Sequence, residues 1–93
     1  MSQILIIEDE TVIRGALRRL LERHGYEVAE AGSVHEAIET HHVGDFDLIL
    51  ADLRLPGKPG TDIIDHVPDI PVLIMTSYAS VRSAVESMQK GAV

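Results

Sequence analysis

Two sets of acidic residues stand directly after apolar runs. Glu8-Asp9-Glu10 follows Ile4-Leu5-Ile6-Ile7, and Asp52 follows Leu48-Ile49-Leu50-Ala51. Short apolar runs bounded by charge read as strands buried on both faces, of the kind found in parallel sheets. In open parallel sheets, ligands sit beyond the carboxyl ends of the strands, where the strand order reverses. If these two runs are neighbours, Glu8, Asp9 and Asp52 meet at one such edge. Two unit charges ~4 Å apart repel by ~4 kcal/mol at an effective dielectric of ~20, so a cluster of this kind needs protons or a cation. Oxygen-only ligands suit Mg2+ or Mn2+. Taken alone, Glu8-Asp9-Glu10 reads equally well as acids favouring a helix N-terminus, and Asp52 as a loop carboxylate. The two sets together, each at the end of a strand, point to a site. Thr76 and Ser77 follow a further apolar run, Val72-Leu73-Ile74-Met75. A hydroxyl there either bonds a phosphoryl oxygen or caps the next helix.

The elements that must position these residues are legible from periodicity. From Val12 the pattern turns helical, with Val12, Ile13, Ala16, Leu17, Leu20 and Leu21 on one side and Arg14, Arg18, Arg19 and Arg23 elsewhere. The arginines read as a solvated face, and Gly25 closes the helix. Tyr26 to Ala31 is a second strand whose two glutamates, Glu27 and Glu30, suit a sheet edge better than its middle. Ser33-Val34-His35-Glu36 fits a capping box for a second helix, which Gly44 is expected to end. Phe46 to Ala51 forms a third strand ending at Asp52, and the stretch from Leu55 to Gly60 is turn chemistry. Thr61 or Asp62 can cap a short helix around Ile63 and Ile64, and Pro68 and Pro71 bracket a loop before the fourth strand. A last helix is expected to place Val81, Ala84, Val85 and Met88 on one face and to stop at Gly91. The order β-α-β-α-β-α-β-α, with short connections, implies right-handed crossovers and a parallel α/β sheet; in the doubly wound order 2-1-3-4, strands one and three are neighbours.

Composition narrows the function classes. The 93 residues make one small domain, 45% hydrophobic with few aromatics, which suits a sheet covered by helices. There is no cysteine, hence no disulfide or thiolate chemistry, and no apolar run approaches the ~20 residues that span a bilayer. Met1 leads straight into a strand and not into a signal peptide, so a soluble, cytoplasmic chain without membrane association is expected. A formal charge of −7 argues against direct nucleic-acid binding, which needs a basic patch. The first strand leads into acids and not a Gly-rich turn, which disfavours nucleotide binding. His41-His42 is an adjacent pair without metal-ligand spacing. His24, His35 and His66 are scattered on or near helix ends, where surface roles are expected.

At this point the chain resembles the response-regulator receiver domains of two-component signalling. Ile4 to Glu10 resembles the family's first-strand acidic motif. Asp47 to Gly60 (DLILADLRLPGKPG) resembles the phospho-acceptor strand and its turn, and Pro71 to Ala79 (PVLIMTSYA) the fourth strand with its switch hydroxyl. The stretch from Met75 to Gly91 is most similar to receivers attached to enhancer-binding transcription activators. The resemblance implies a flavodoxin-like, doubly wound parallel sheet. It implies that Asp52 accepts a phosphoryl group from a sensor histidine kinase. It also implies that Mg2+ (or Mn2+) is held directly by Asp9, with Glu8 beside it through water, and by Asp52 and the backbone carbonyl of Arg54, that Thr76 is the switch hydroxyl, and that an output domain, of transcriptional type, receives the signal.

The family also has a fifth strand, with a lysine that pairs with the phosphate and an aromatic switch residue, and a fifth helix. Lys58 and Lys90 are the only lysines and neither follows a strand. Residues 1–93 are therefore expected to be a receiver domain incomplete at its C-terminus, lacking the fifth strand and fifth helix. Such a chain is expected to take phosphate poorly and to self-associate through the fourth-strand edge. Two rivals keep the same fold. A phosphohydrolase with Asp52 as nucleophile would often carry a second acid two residues on, where Arg54 stands. A receiver-like interaction module independent of phosphate has no need of Glu8, Asp9, Asp52 and Thr76 together.

Overall fold

The computed structural model describes residues 2–53, 55, 57 and 59–75. Four parallel strands, β1 (Gln3–Ile7), β2 (Glu27–Ala31), β3 (Leu48–Asp52) and β4 (Val72–Met75), lie in the order β2-β1-β3-β4. Helices α1 (Thr11–Arg23), α2 (Val34–Thr40) and α3 (Asp62–His66) make the crossovers. The expected 2-1-3-4 sheet is thus the observed one. The last helix expected around Val81 to Met88, its end at Gly91, and Ser77 lie outside the described residues. No helix among the described residues is long and apolar enough to cross a membrane.

Successive side chains of a strand point to opposite faces, and β1 uses both. Leu5 and Ile7 enter a core layer with Val34, Ala37, Ile49 and Ile63, under α2 and α3. Ile4 and Ile6 enter a second layer with Leu17, Leu21, Leu50 and Met75, under α1. This two-sided burial is why the first strand is a continuous apolar run and not an alternating one. β2 lies at the sheet edge, as its glutamates foretold.

Local signals fix the element ends. α1 stops where Gly25 takes φ +91°, a left-handed conformation that side chains disfavour. At α2 the Ser33 hydroxyl accepts the Glu36 N–H at 3.0 Å. The Glu36 carboxylate in turn accepts the Gly32 N–H, one residue before the position of the standard box.

Three expectations change. α2 ends at Thr40, not at Gly44, because His41 turns extended and Gly44 falls within a 3-10 turn, Val43–Asp45. The His41 ring nitrogen Nε2 sits 2.9 Å from the Glu30 carbonyl oxygen, and its ring meets Phe46 edge-on, which holds the chain off the helical path. Val12, read as a core residue of α1, is 80% exposed, since the first turn of α1 lies at the carboxyl end of the sheet and not over its face. Thr61 stands at the cap position of α3 without a side-chain capping bond.

Candidate functional site

β1 and β3 are parallel neighbours, with Ile7 opposite Ala51, so the residues that follow them emerge side by side. One carboxylate oxygen from each of Glu8, Asp9 and Asp52 lies within 4.8 Å of the other two. The convergence expected from the sequence is present, and the sheet register produces it.

The three side chains differ in surroundings. Glu8 is 3% exposed, the one buried charged side chain among the described residues. Asp52 is half-buried and Asp9 exposed. Burial pushes the Glu8 carboxyl up to about 7, and its hydrogen bond with Asp52 adds to the shift; the Glu10 N–H, donated to Glu8 Oε1 at 3.2 Å, opposes it. The negative charges of Asp52 and Asp9 also raise it. A buried acid sharing a proton with a neighbouring carboxylate is the arrangement such a cluster adopts without a cation.

The helix-dipole account is confined to Glu10, which stands at the cap position of α1. No acidic residue lies in the first turn of α1, and Glu10 at its cap position makes no side-chain capping bond. Glu8 and Asp9 belong to the cluster, and Glu10 to the start of the helix.

The donor set fits a hard divalent cation: three carboxyl oxygens, and no nitrogen or sulfur. Ligands on opposite sides of Mg2+ at ~2.1 Å stand ~4.2 Å apart, so a spread of at most 4.8 Å closes on the ion with small side-chain movements. Arg54 and Thr76, whose carbonyl and hydroxyl complete the expected set, lie outside the described residues, as do Lys58 and Lys90.

Two residues matter here that the sequence did not single out. Gly60 is buried against the backbone of Asp52: a Cβ at Gly60 would lie 2.1 Å from the Asp52 carbonyl oxygen and 2.9 Å from its carbonyl carbon. Gly60 is therefore packed directly on the Asp52 backbone, and only a residue without a side chain permits it. Turn composition alone made this stretch a loop and did not reveal the contact. The second is Arg14, read as part of a solvated face. Arg14 Nη1 donates to the Glu8 carbonyl at 2.9 Å, and its Nε pairs with Glu30 Oε1 at 3.3 Å. Arg18 also pairs with Glu30, and with Glu22 at 3.2 Å. Glu30 sits on the β2 edge facing α1, so both arginines reach the sheet, Arg14 half-buried and Arg18 more open to solvent.

Comparison with known proteins decides the family. The model for the response regulator receiver domain matches residues 4–93. The chain belongs to the response regulator receiver domains. Among curated relatives, this receiver is 39% identical to the transcriptional regulatory protein ZraR of Escherichia coli over 97% of the chain. The chain spans 21% of that relative's length, and about a fifth of the other curated relatives. The likeness to receivers of transcription activators expected from the sequence is found. Among solved structures, the response regulator TrrA of Thermotoga maritima in complex with Mg(2+)-BeF superposes with a TM-score of 0.73 at 32% identity, over 95% of this chain and 80% of that one. TrrA in complex with the histidine kinase ThkA superposes with a TM-score of 0.72 at 32% identity, over 84% of this chain and 71% of that one.

Proposed function

We propose that this receiver takes a phosphoryl group on Asp52 from the phosphohistidine of a sensor histidine kinase and passes the resulting change to an output domain of transcriptional type. The observation that carries the reading is the meeting of Glu8, Asp9 and Asp52 at the carboxyl ends of β1 and β3 in a chain of this family. In the transfer, an Asp52 carboxylate oxygen attacks phosphorus. The P–N bond breaks, the imidazole leaves with its electron pair and takes a proton from solvent, and Asp52 becomes an acyl phosphate. Glu8, Asp9, Asp52 and the Arg54 carbonyl would hold Mg2+, which would offset negative charge on the transferred group. To serve as a ligand, Glu8 would have to give up its proton. Thr76 is the hydroxyl that turns to the new phosphoryl oxygens, and the loops around an added charge of about −2 reorganise. This is stoichiometric self-modification and not turnover of a free substrate.

The kinase-bound and Mg(2+)-BeF-bound relatives support the partner and the cation. A module that never took phosphate would bury Glu8 beside two carboxylates without use for the repulsion. The test is incubation of the full-length natural protein with acetyl phosphate and Mg2+, read by intact-mass spectrometry. A gain of one phosphoryl group that is absent in Asp52→Asn and with EDTA is expected. An unchanged wild-type mass overturns the reading.

A further inference from the structure

We propose that Arg14 is a positioning residue for the acidic cluster, holding the Glu8–Asp9 peptide in the orientation from which both carboxylates reach Asp52. The inference rests on the reading of that cluster as a cation and phosphate site. Four contacts fix the segment between β1 and α1. The Glu8 N–H donates to the Ala31 carbonyl at 3.0 Å, which extends the β1–β2 ladder by one residue. Arg14 Nη1 donates to the Glu8 carbonyl at 2.9 Å. The Glu10 N–H donates to Glu8 Oε1 at 3.2 Å. The Arg14 N–H donates to the Glu10 carbonyl at 2.9 Å, the first helical bond of α1.

The Glu8 carbonyl and the Asp9 N–H belong to one rigid peptide plane. Whatever holds that carbonyl also sets the direction in which Asp9 leaves the chain. Arg14 holds it from α1, one turn further along the chain, and is itself steadied by Glu30 on β2. The planar guanidinium can serve a carboxylate and a carbonyl at once through a rigid fork of donors, which an ammonium cannot. Glu30 is tied in twice more, by Arg18 and by His41 Nε2 at its backbone carbonyl. The first helix and the edge strand are thus joined through one side chain to the backbone that carries two of the three carboxylates.

Charge and geometry predict opposite signs for loss of Arg14, which makes the role testable. A cation near an acidic cluster competes with Mg2+, so removing it strengthens metal binding by Coulomb's law alone. Removing a positioning contact weakens it. Arg14→Gln, Arg14→Lys and Glu30→Gln are compared with wild type by amide-resolved NMR, first without metal and then through a Mg2+ titration, with circular dichroism to confirm folding. Without metal, Arg14→Gln is expected to shift and broaden the amide signals of Glu8, Asp9 and Glu10. Glu30→Gln, which leaves the bond to the Glu8 carbonyl in place, changes them little. In the titration, Arg14→Gln weakens Mg2+ binding by about tenfold or more, the usual effect of losing a group that orients a metal ligand. Arg14→Lys recovers part of the loss. Unchanged amide signals, or unchanged or tighter Mg2+ binding in Arg14→Gln, overturn the inference. Should Arg14→Gln not fold, Arg14→Lys decides: affinity below wild type supports the role, and wild-type affinity overturns it. If the wild-type chain takes no Mg2+, the proposed function fails, and the metal-free amide signals alone decide the role of Arg14.

Discussion

Glu8 is the residue whose chemistry departs most from its solution value, and its pH dependence follows from the cluster. Its carboxyl is raised to about 7 from an ordinary 4.5, first by burial and then by the bond to Asp52. The folded chain therefore binds this proton more tightly than the unfolded chain does. Below about 4.5 both states are protonated and there is no cost. As pH rises from 4.5 to about 7 the unfolded state ionises and the folded state resists, so stability falls, and above 7 the loss is complete. A shift of this size corresponds to at most ~3 kcal/mol. Glutamine mimics the protonated acid, since its oxygen can still accept the Glu10 N–H and its amide can donate to Asp52. Without metal, Glu8→Gln is expected to raise stability at pH 8 by about 1–3 kcal/mol and to leave it nearly unchanged at pH 4.5. Paired urea unfolding of the two chains at both pH values checks this. An equal difference at both would show that Glu8 is not the titrating group.

At the scale of elements, the turn after β3 and the segment after β1 place the site, and they do so by different means. The segment after β1 is held by side chains, Arg14 foremost. The turn after β3 is held by the absence of one at Gly60. A methyl group there would overlap the Asp52 carbonyl, which is backbone and cannot rotate away. Gly60→Ala is expected to cost about 1–3 kcal/mol, the range for forced overpacking. That lowers the melting temperature by roughly 5–20 °C in a domain of this size. Because the displaced atoms belong to Asp52, Mg2+ binding should weaken as well. Calorimetry with a parallel Mg2+ titration tests both, and a melting temperature within a degree of wild type would show that the turn moves aside freely. Glu30 tells a similar story. Its place on an edge strand was readable from its charge, but its use was not: it anchors Arg14 and Arg18, so an edge glutamate became the hub of a partly exposed ion-pair network.

For the whole molecule, the consequence is that the cation and the fold should support each other. Three carboxylates at one edge destabilise the metal-free chain, and an ion that binds only the folded state offsets that. At a hundredfold excess over Kd, Mg2+ is expected to add ~2.7 kcal/mol, or roughly 10–20 °C in melting temperature for this chain length. The gain should grow as pH rises through 7, where Glu8 has released its proton, and vanish with EDTA or in Asp52→Asn. A thermal scan indifferent to Mg2+ at pH 8 would count against the cluster as a cation site. Much of this molecule was determined by the sequence alone. Apolar runs ending in acids specified parallel strands buried on both faces with Glu8, Asp9 and Asp52 at their carboxyl ends, because strand burial depends on local pattern. The β1–β3 pairing that makes the acids meet is tertiary. Tertiary structure decided what local pattern cannot carry. Arg14 and Arg18 fall at spacings that leave them off the apolar face of α1, and only the nearness of β2 pairs them with Glu30. Val12 has core chemistry and a helical phase, and only the limited reach of the sheet leaves it exposed. Gly60 is one more turn residue until the chain folds back and brings the Asp52 carbonyl to where its side chain would be.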